Sequence, residues 1–128
     1  MIHIASHCLS VRTQGDVGSG KTVVSLLSML LAVESGAQAC ILAPTEVLAH
    51  QHFNTFTEIC ALQSVRPVRV ALLTGAVTGQ ARASLLPSLA DGSRDILVGT
   101  PAVYGHHVRY KGAHRACMLQ TVMWDATC

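Results

Sequence analysis

Short apolar runs alternate along the chain with segments whose apolar residues recur at helical spacing. Val11 to Gln14 is a short strand candidate that leads into a glycine-rich turn at Gly15 to Gly20. From Thr22 to Ser35 the spacing predicts a helix with a narrow polar stripe of Ser25, Ser28 and Ser35, Ala32 filling the missing step. Val23, Leu27, Leu30 and Leu31 are then expected to face the core. Gly36 is placed to stop that helix. Gln38 to Ala43 is a continuous apolar run, the pattern of a strand covered on both faces. Pro44-Thr45-Glu46 opens a second helix to about Ile59, with Leu48, Ala49, Phe53, Phe56, Ile59 and Cys60 on one side. Val68 to Leu73 and Asp95 to Gly99 read as further strands. Between them lies a weaker helix, Thr78 to Ala90, which Pro87 should kink or end. Gly112 to Cys128 carries no clear pattern. Strands alternating with helices of this length predict an α/β fold, a parallel sheet with helices on both faces.

Composition narrows the class. A chain of 128 residues suits one domain, and at 50% hydrophobic it has the apolar material for a core. Disorder needs the opposite balance. A net charge of +2 is too small to announce nucleic acid or a membrane surface. The longest nearly apolar stretch, Val23 to Val33, falls short of the ~20 residues that span a bilayer. Met1 to Ser10 holds no Lys or Arg before an apolar run, so a secretory signal is not expected. Five cysteines without a C-x-x-C pair suggest neither a zinc site nor a disulfide framework. Free thiols in a reducing cytosol, hence a cytoplasmic protein, are the expectation.

The sharpest chemical signal is Gly15-Asp16-Val17-Gly18-Ser19-Gly20-Lys21-Thr22, which satisfies G-x-x-x-x-G-K-[ST] at every required position. The glycines let the backbone curl so that its N–H groups converge on phosphate oxygens. The following helix adds the positive end of its dipole. Lys21 supplies a point charge to the β and γ phosphates of ATP, and Thr22 a hydroxyl to Mg²⁺. The chain has two lysines, Lys21 and Lys111, and one stands where the motif demands it.

Further segments identify a family. Gln14 to Val24 resembles the first motif of the RecG helicases, ATP-dependent enzymes that remodel branched DNA. Ala43-Pro44-Thr45-Glu46-Val47-Leu48-Ala49-His50-Gln51-His52 resembles the next motif. Leu72-Leu73-Thr74-Gly75 and Asp95-Ile96-Leu97-Val98-Gly99-Thr100 resemble the two after it. The resemblance covers about residues 14 to 111, with 112–128 a divergent tail in which no covering strand is expected. The related transcription-repair coupling helicases usually carry GFGKT where this chain has GSGKT. The resemblance implies a P-loop, RecA-like α/β domain, incomplete here, that supplies most of the first of two motor domains. It implies that Thr45, Gln51, Thr74, Gly75 and Thr100 line a face for branched or forked DNA. Helix starts and strand ends of this kind offer N–H groups and hydroxyls to phosphates, which position without reading bases.

The sequence also departs from the family. Its Asp-Glu-x-His motif should fall at Leu119-Gln120, and neither residue is acidic; Asp125 lies further on, followed by Ala126. Pro101 stands where the family usually has His. The change after Lys111 reads as a truncation or a shift of frame, so the chain alone is not expected to complete hydrolysis. A non-catalytic nucleotide-binding module is the alternative, and a small independent P-loop kinase or GTPase the third reading. The third lacks a guanine-reading Asn-Lys-x-Asp. His50 and His52, with His106 and His107, are expected at the surface rather than around a metal. Arg66, Arg69, Arg82 and Arg94 form at most a scattered basic patch near the phosphate-facing loops.

Overall fold

The computed structural model describes the backbone of residues 2–5, 8–13, 21–62, 67–100 and 116–121, and the side chains of residues 23–62 and 67–100. Strands β1 (Ile2–Ala5) and β2 (Cys8–Thr13) precede helix α1 (Lys21–Glu34), β3 (Gln38–Leu42) and helix α2 (Glu46–Ala61). Strand β4 (Val70–Leu73), helix α3 (Gly79–Ala90), β5 (Ile96–Gly99) and β6 (Ala116–Thr121) follow. The strands form one sheet in the order β1-β2-β6-β3-β5-β4. All neighbours are parallel except β1, which runs antiparallel to β2.

Alternation along the buried strands divides the core in two. Ala39 and Ile41 of β3, with Ile96 and Val98 of β5, pack against α1 and α2 through Met29, Val33, Phe56 and Cys60. Cys40, Leu42 and Leu97 point the other way, toward Leu85, Leu86 and Leu89 of α3. Successive side chains of a strand face opposite sides, so a continuous apolar run is what a two-sided core requires. The expected α/β sandwich is therefore present, with helices on both faces.

Four expectations need correction. Of the four α1 residues expected to face the core, Leu30 does, but it is joined there by Ser25, Leu26, Met29 and Val33, whereas Val23, Leu27 and Leu31 are 55%, 56% and 65% exposed. Both stripes are apolar enough to bury, so hydrophobicity alone could not orient the helix. The small Ser25 is among the residues that face inward, and Ser28 returns its hydroxyl proton to the Val24 carbonyl at 2.9 Å. Second, Pro87 does not end α3, which runs on to Ala90. It sits in the last turn and gives up one ladder bond there, but the turn still closes: its own carbonyl accepts from Asp91 N at 3.0 Å.

The third correction is β6. The pattern-free stretch contains a strand, Ala116–Thr121, paired with β2 on one side and β3 on the other. Its Ala-Cys-Met-Leu start is apolar, and the slot it fills has strand ladders on both sides. Fourth, β2 begins at Cys8 rather than Val11. The stop at Gly36 holds: with φ of 83°, it lets Gly36 N and Ala37 N donate to the Val33 and Ala32 carbonyls.

Candidate functional site

Parallel strands bring their carboxyl ends to one edge of a sheet, where α/β proteins bind ligands. Register aligns those ends here. Thr13 of β2 pairs with Thr121 of β6, Leu42 of β3 with Gln120 and Gly99, and Leu73 of β4 with Gly99. Every segment singled out in the sequence leaves the sheet at this edge. The phosphate loop joins the end of β2 to the start of α1. Its residues Gly15 to Gly20 lie outside the described residues, whereas Lys21 and Thr22 are the first two residues of α1. A strand before the motif and a helix after it is the context the motif demands.

Thr45 is the N-cap of α2, with extended backbone and its hydroxyl oxygen accepting from Leu48 N at 3.3 Å. Substitution of such a cap costs about 1 kcal/mol. Gln51 is exposed five residues into α2, roughly 7.5 Å along the axis from Glu46. Gly75 is exposed in the turn after β4 and donates its N–H to Glu46 Oε1 at 3.0 Å. The structure thus draws Thr45 and Gly75 together through a side chain that the sequence alone did not single out. The available signal was an acid in the first turn of a helix, just after an N-cap threonine.

Thr74 and Thr100 end up differently from the surface hydroxyls expected of them. They follow β4 and β5, and both are buried, at 0% and 6% exposure. The Thr74 hydroxyl has no hydrogen-bond partner among the described residues. As placed, neither side chain stands at the surface. Gly99 has a steric reason: a Cβ there would lie 2.8 Å from the Leu73 carbonyl oxygen.

The arginines are divided between the two ends of the sheet, Arg82 lying in the first turn of α3, which follows the carboxyl end of β4. Arg69 precedes β4 and Arg94 precedes β5, so both sit at the amino end of the sheet. There the Asp95 carboxylate accepts from Arg69 N at 2.9 Å and from its guanidinium Nε at 3.2 Å. Arg69 serves the fold, and Arg66 lies outside the described residues. The histidines also divide. His50 is exposed, but His52 is buried and stacked on Phe56, with ring centroids 5.7 Å apart. Burial pushes the His52 pKa below its ordinary value. His106 and His107 lie outside the described residues, and no group of side chains suited to a metal occurs among the described ones. Burial, with the charge of Asp95 a lesser cause, pushes the Cys60 thiol up.

The family motif's acidic pair would fall within β6, where Leu119 and Gln120 pair with Val11 and Arg12 of β2. That strand lies next to the one feeding the phosphate loop, and its six residues include no carboxylate. No described helix is long and apolar enough to cross a membrane.

Comparison with known proteins agrees with this geometry. The ATP-dependent DNA helicase RecG of Aquifex aeolicus is 44% identical over 98 residues, 77% of this chain and 12% of that protein. Those of Treponema pallidum and Bacillus subtilis are each 46% identical, over 76% and 77% of this chain and 14% of theirs. The chain therefore spans only a small part of the length of these curated relatives. Among solved structures, RecG bound to a three-way DNA junction superimposes with a TM-score of 0.69 at 30% identity, over 87% of this chain and 17% of that one. The profile of the DEAD/DEAH box helicases matches residues 2–125, beyond both ends of the motif-bearing stretch. By that match the chain belongs to the DEAD/DEAH box helicase family, and the members it resembles are RecG helicases.

Proposed function

We propose that this chain is the ATP-binding part of the first motor domain of a cytoplasmic, ATP-dependent DNA helicase acting on branched or forked DNA. The observation that carries the reading is the phosphate-loop sequence spanning from the carboxyl end of β2 to Lys21 at the start of α1. Residues Gly15 to Gly20 would wrap the phosphates with backbone N–H groups, and Lys21 would meet the β and γ phosphates. Thr22 would offer its hydroxyl to Mg²⁺. Bound MgATP supplies the phosphoryl group whose hydrolysis drives such motors. Thr45, Gln51 and Gly75 would line the face for the DNA backbone, Thr74 and Thr100 contributing through the turns they shape. The buried thiols Cys40 and Cys60 suit a reducing compartment.

Titration calorimetry of MgADP and MgATP against wild type and Lys21→Ala tests the nucleotide assignment. Wild type should bind, and removal of the one full positive charge should weaken binding at least about tenfold. Equal affinity for the two proteins would remove the assignment. One observation favours a second reading, a nucleotide-binding module without turnover: β6 carries no acid where the family places two.

A further inference from the structure

The turn after β4 is held from outside. Within it, Val77 N donates to the Thr74 carbonyl at 3.0 Å, while the buried Thr74 hydroxyl makes no bond among the described residues. The tie from this turn to a neighbouring helix is the Gly75 N–H, which donates to Glu46 Oε1 at 3.0 Å. Glu46 occupies the first turn of α2, directly after the N-cap Thr45. Its carboxylate there is favoured by the helix dipole, and it reaches sideways across 29 residues of sequence. A Cβ on Gly75 would lie 3.0 Å from the same oxygen, so the glycine also permits this close approach.

We propose that Glu46 is a positioning residue: it locks the Thr74-Gly75 turn against the start of α2 so that both present one surface to a nucleic-acid backbone. The inference rests on the nucleic-acid reading given above. Without the lock, two segments on separate loops would each have to be ordered on binding, and that ordering lowers affinity. The carboxylate itself is a negative charge on a face meant for phosphates. Charge alone therefore predicts that its removal tightens binding, the reverse of what positioning predicts for alanine.

Glu46→Gln and Glu46→Ala separate the two effects. Both are neutral, so the salt-dependent attraction to phosphate changes equally. Only glutamine keeps an oxygen that can accept from Gly75. Fluorescence anisotropy with a labelled forked duplex is measured on the whole chain at two salt concentrations, together with Gly75 amide exchange by NMR and a urea titration. Glutamine should bind about three- to tenfold more tightly than alanine, with the same salt slope. Gly75 exchange should quicken roughly tenfold in Glu46→Ala relative to Glu46→Gln. Glu46 is exposed, so both variants should keep the fold, and the urea midpoints check it. Equal affinities of the two variants, or tighter binding by alanine, would overturn the proposal while leaving the nucleic-acid reading intact. Absence of DNA binding by wild type would instead remove that reading, and the proposal with it.

Discussion

The two ends of the sheet are built for different work. At the amino end, Asp95 is nearly buried and accepts from the Arg69 backbone and guanidinium. Arg69 Nη2 continues to the Gly92 carbonyl at 3.1 Å. Gln38 donates from one amide nitrogen to the Leu89 and Arg94 carbonyls at 2.9 and 2.8 Å. Polar groups there are satisfied by other parts of the fold. At the carboxyl end the described ties include the Thr45 cap, the Glu46–Gly75 bond and Ala43 N donating to the Gly99 carbonyl at 2.8 Å, while the Thr74 hydroxyl has no partner among the described residues. The Arg69–Asp95 network thus lies at the end opposite the edge where α/β sheets bind ligands. Arg69, at the amino end, joins strands rather than facing a ligand.

This contrast breaks most plainly if the carboxyl end performs chemistry by itself. Phosphoryl transfer needs several charged parts together, and an arginine finger alone is worth roughly 10³–10⁵ in rate. With no carboxylate in β6, phosphate release by the purified 128-residue chain should lie at least about a thousandfold below that of a two-domain motor. Forked DNA should not stimulate it. DNA-stimulated turnover that vanishes in Lys21→Ala would show that another acid, such as Asp125, takes the role.

Next in size is the amino end. Asp95→Ala should cost about 2–3 kcal/mol in urea denaturation, because it removes charged acceptors from donors that stay behind. Arg69→Ala should cost less, since its side chain is 45% exposed and water can replace part of the bond. Nucleotide affinity of the folded fraction should be unchanged in both. A loss of affinity as large as the loss of stability would mean that the two ends are not independent.

The smallest effect is a pH dependence between the layers. Burial lowers the His52 pKa in the folded chain, so the unfolded chain binds its proton more readily. The contribution of His52 is therefore full above the unfolded value of about 6.5 and falls as pH drops from there toward the folded pKa. His52→Phe should flatten the part of the stability profile between about pH 7 and 5 that belongs to this residue. Identical profiles for variant and wild type would place the titration elsewhere.

His52 also shows how a local pattern misleads. Next to exposed His50 it reads as one of a surface pair, yet positions two apart lie on different faces of a helix. Ala49 three residues before it and Phe56 four after, both buried, share its side. That periodicity was legible; the histidine's polarity concealed it. Glu46 and Asp95 were legible only as an acid at a helix start and an acid before a strand, because their partners lie 29 and 26 residues away.

By itself the sequence determined the local grammar of the protein: the middle strands, the start of α2 at Thr45, the stop of α1 at Gly36, and the phosphate-loop motif. Each rests on interactions within a few residues, which spacing and side-chain chemistry encode directly. Tertiary structure decided which of two apolar stripes on α1 faces the sheet, that β6 enters between β2 and β3, and that Arg69 binds Asp95. It also decided that Thr74 and Thr100 are buried and that Glu46 reaches Gly75. Those outcomes depend on contacts between residues distant in sequence, where size, register and the geometry of neighbouring elements select among locally equivalent choices.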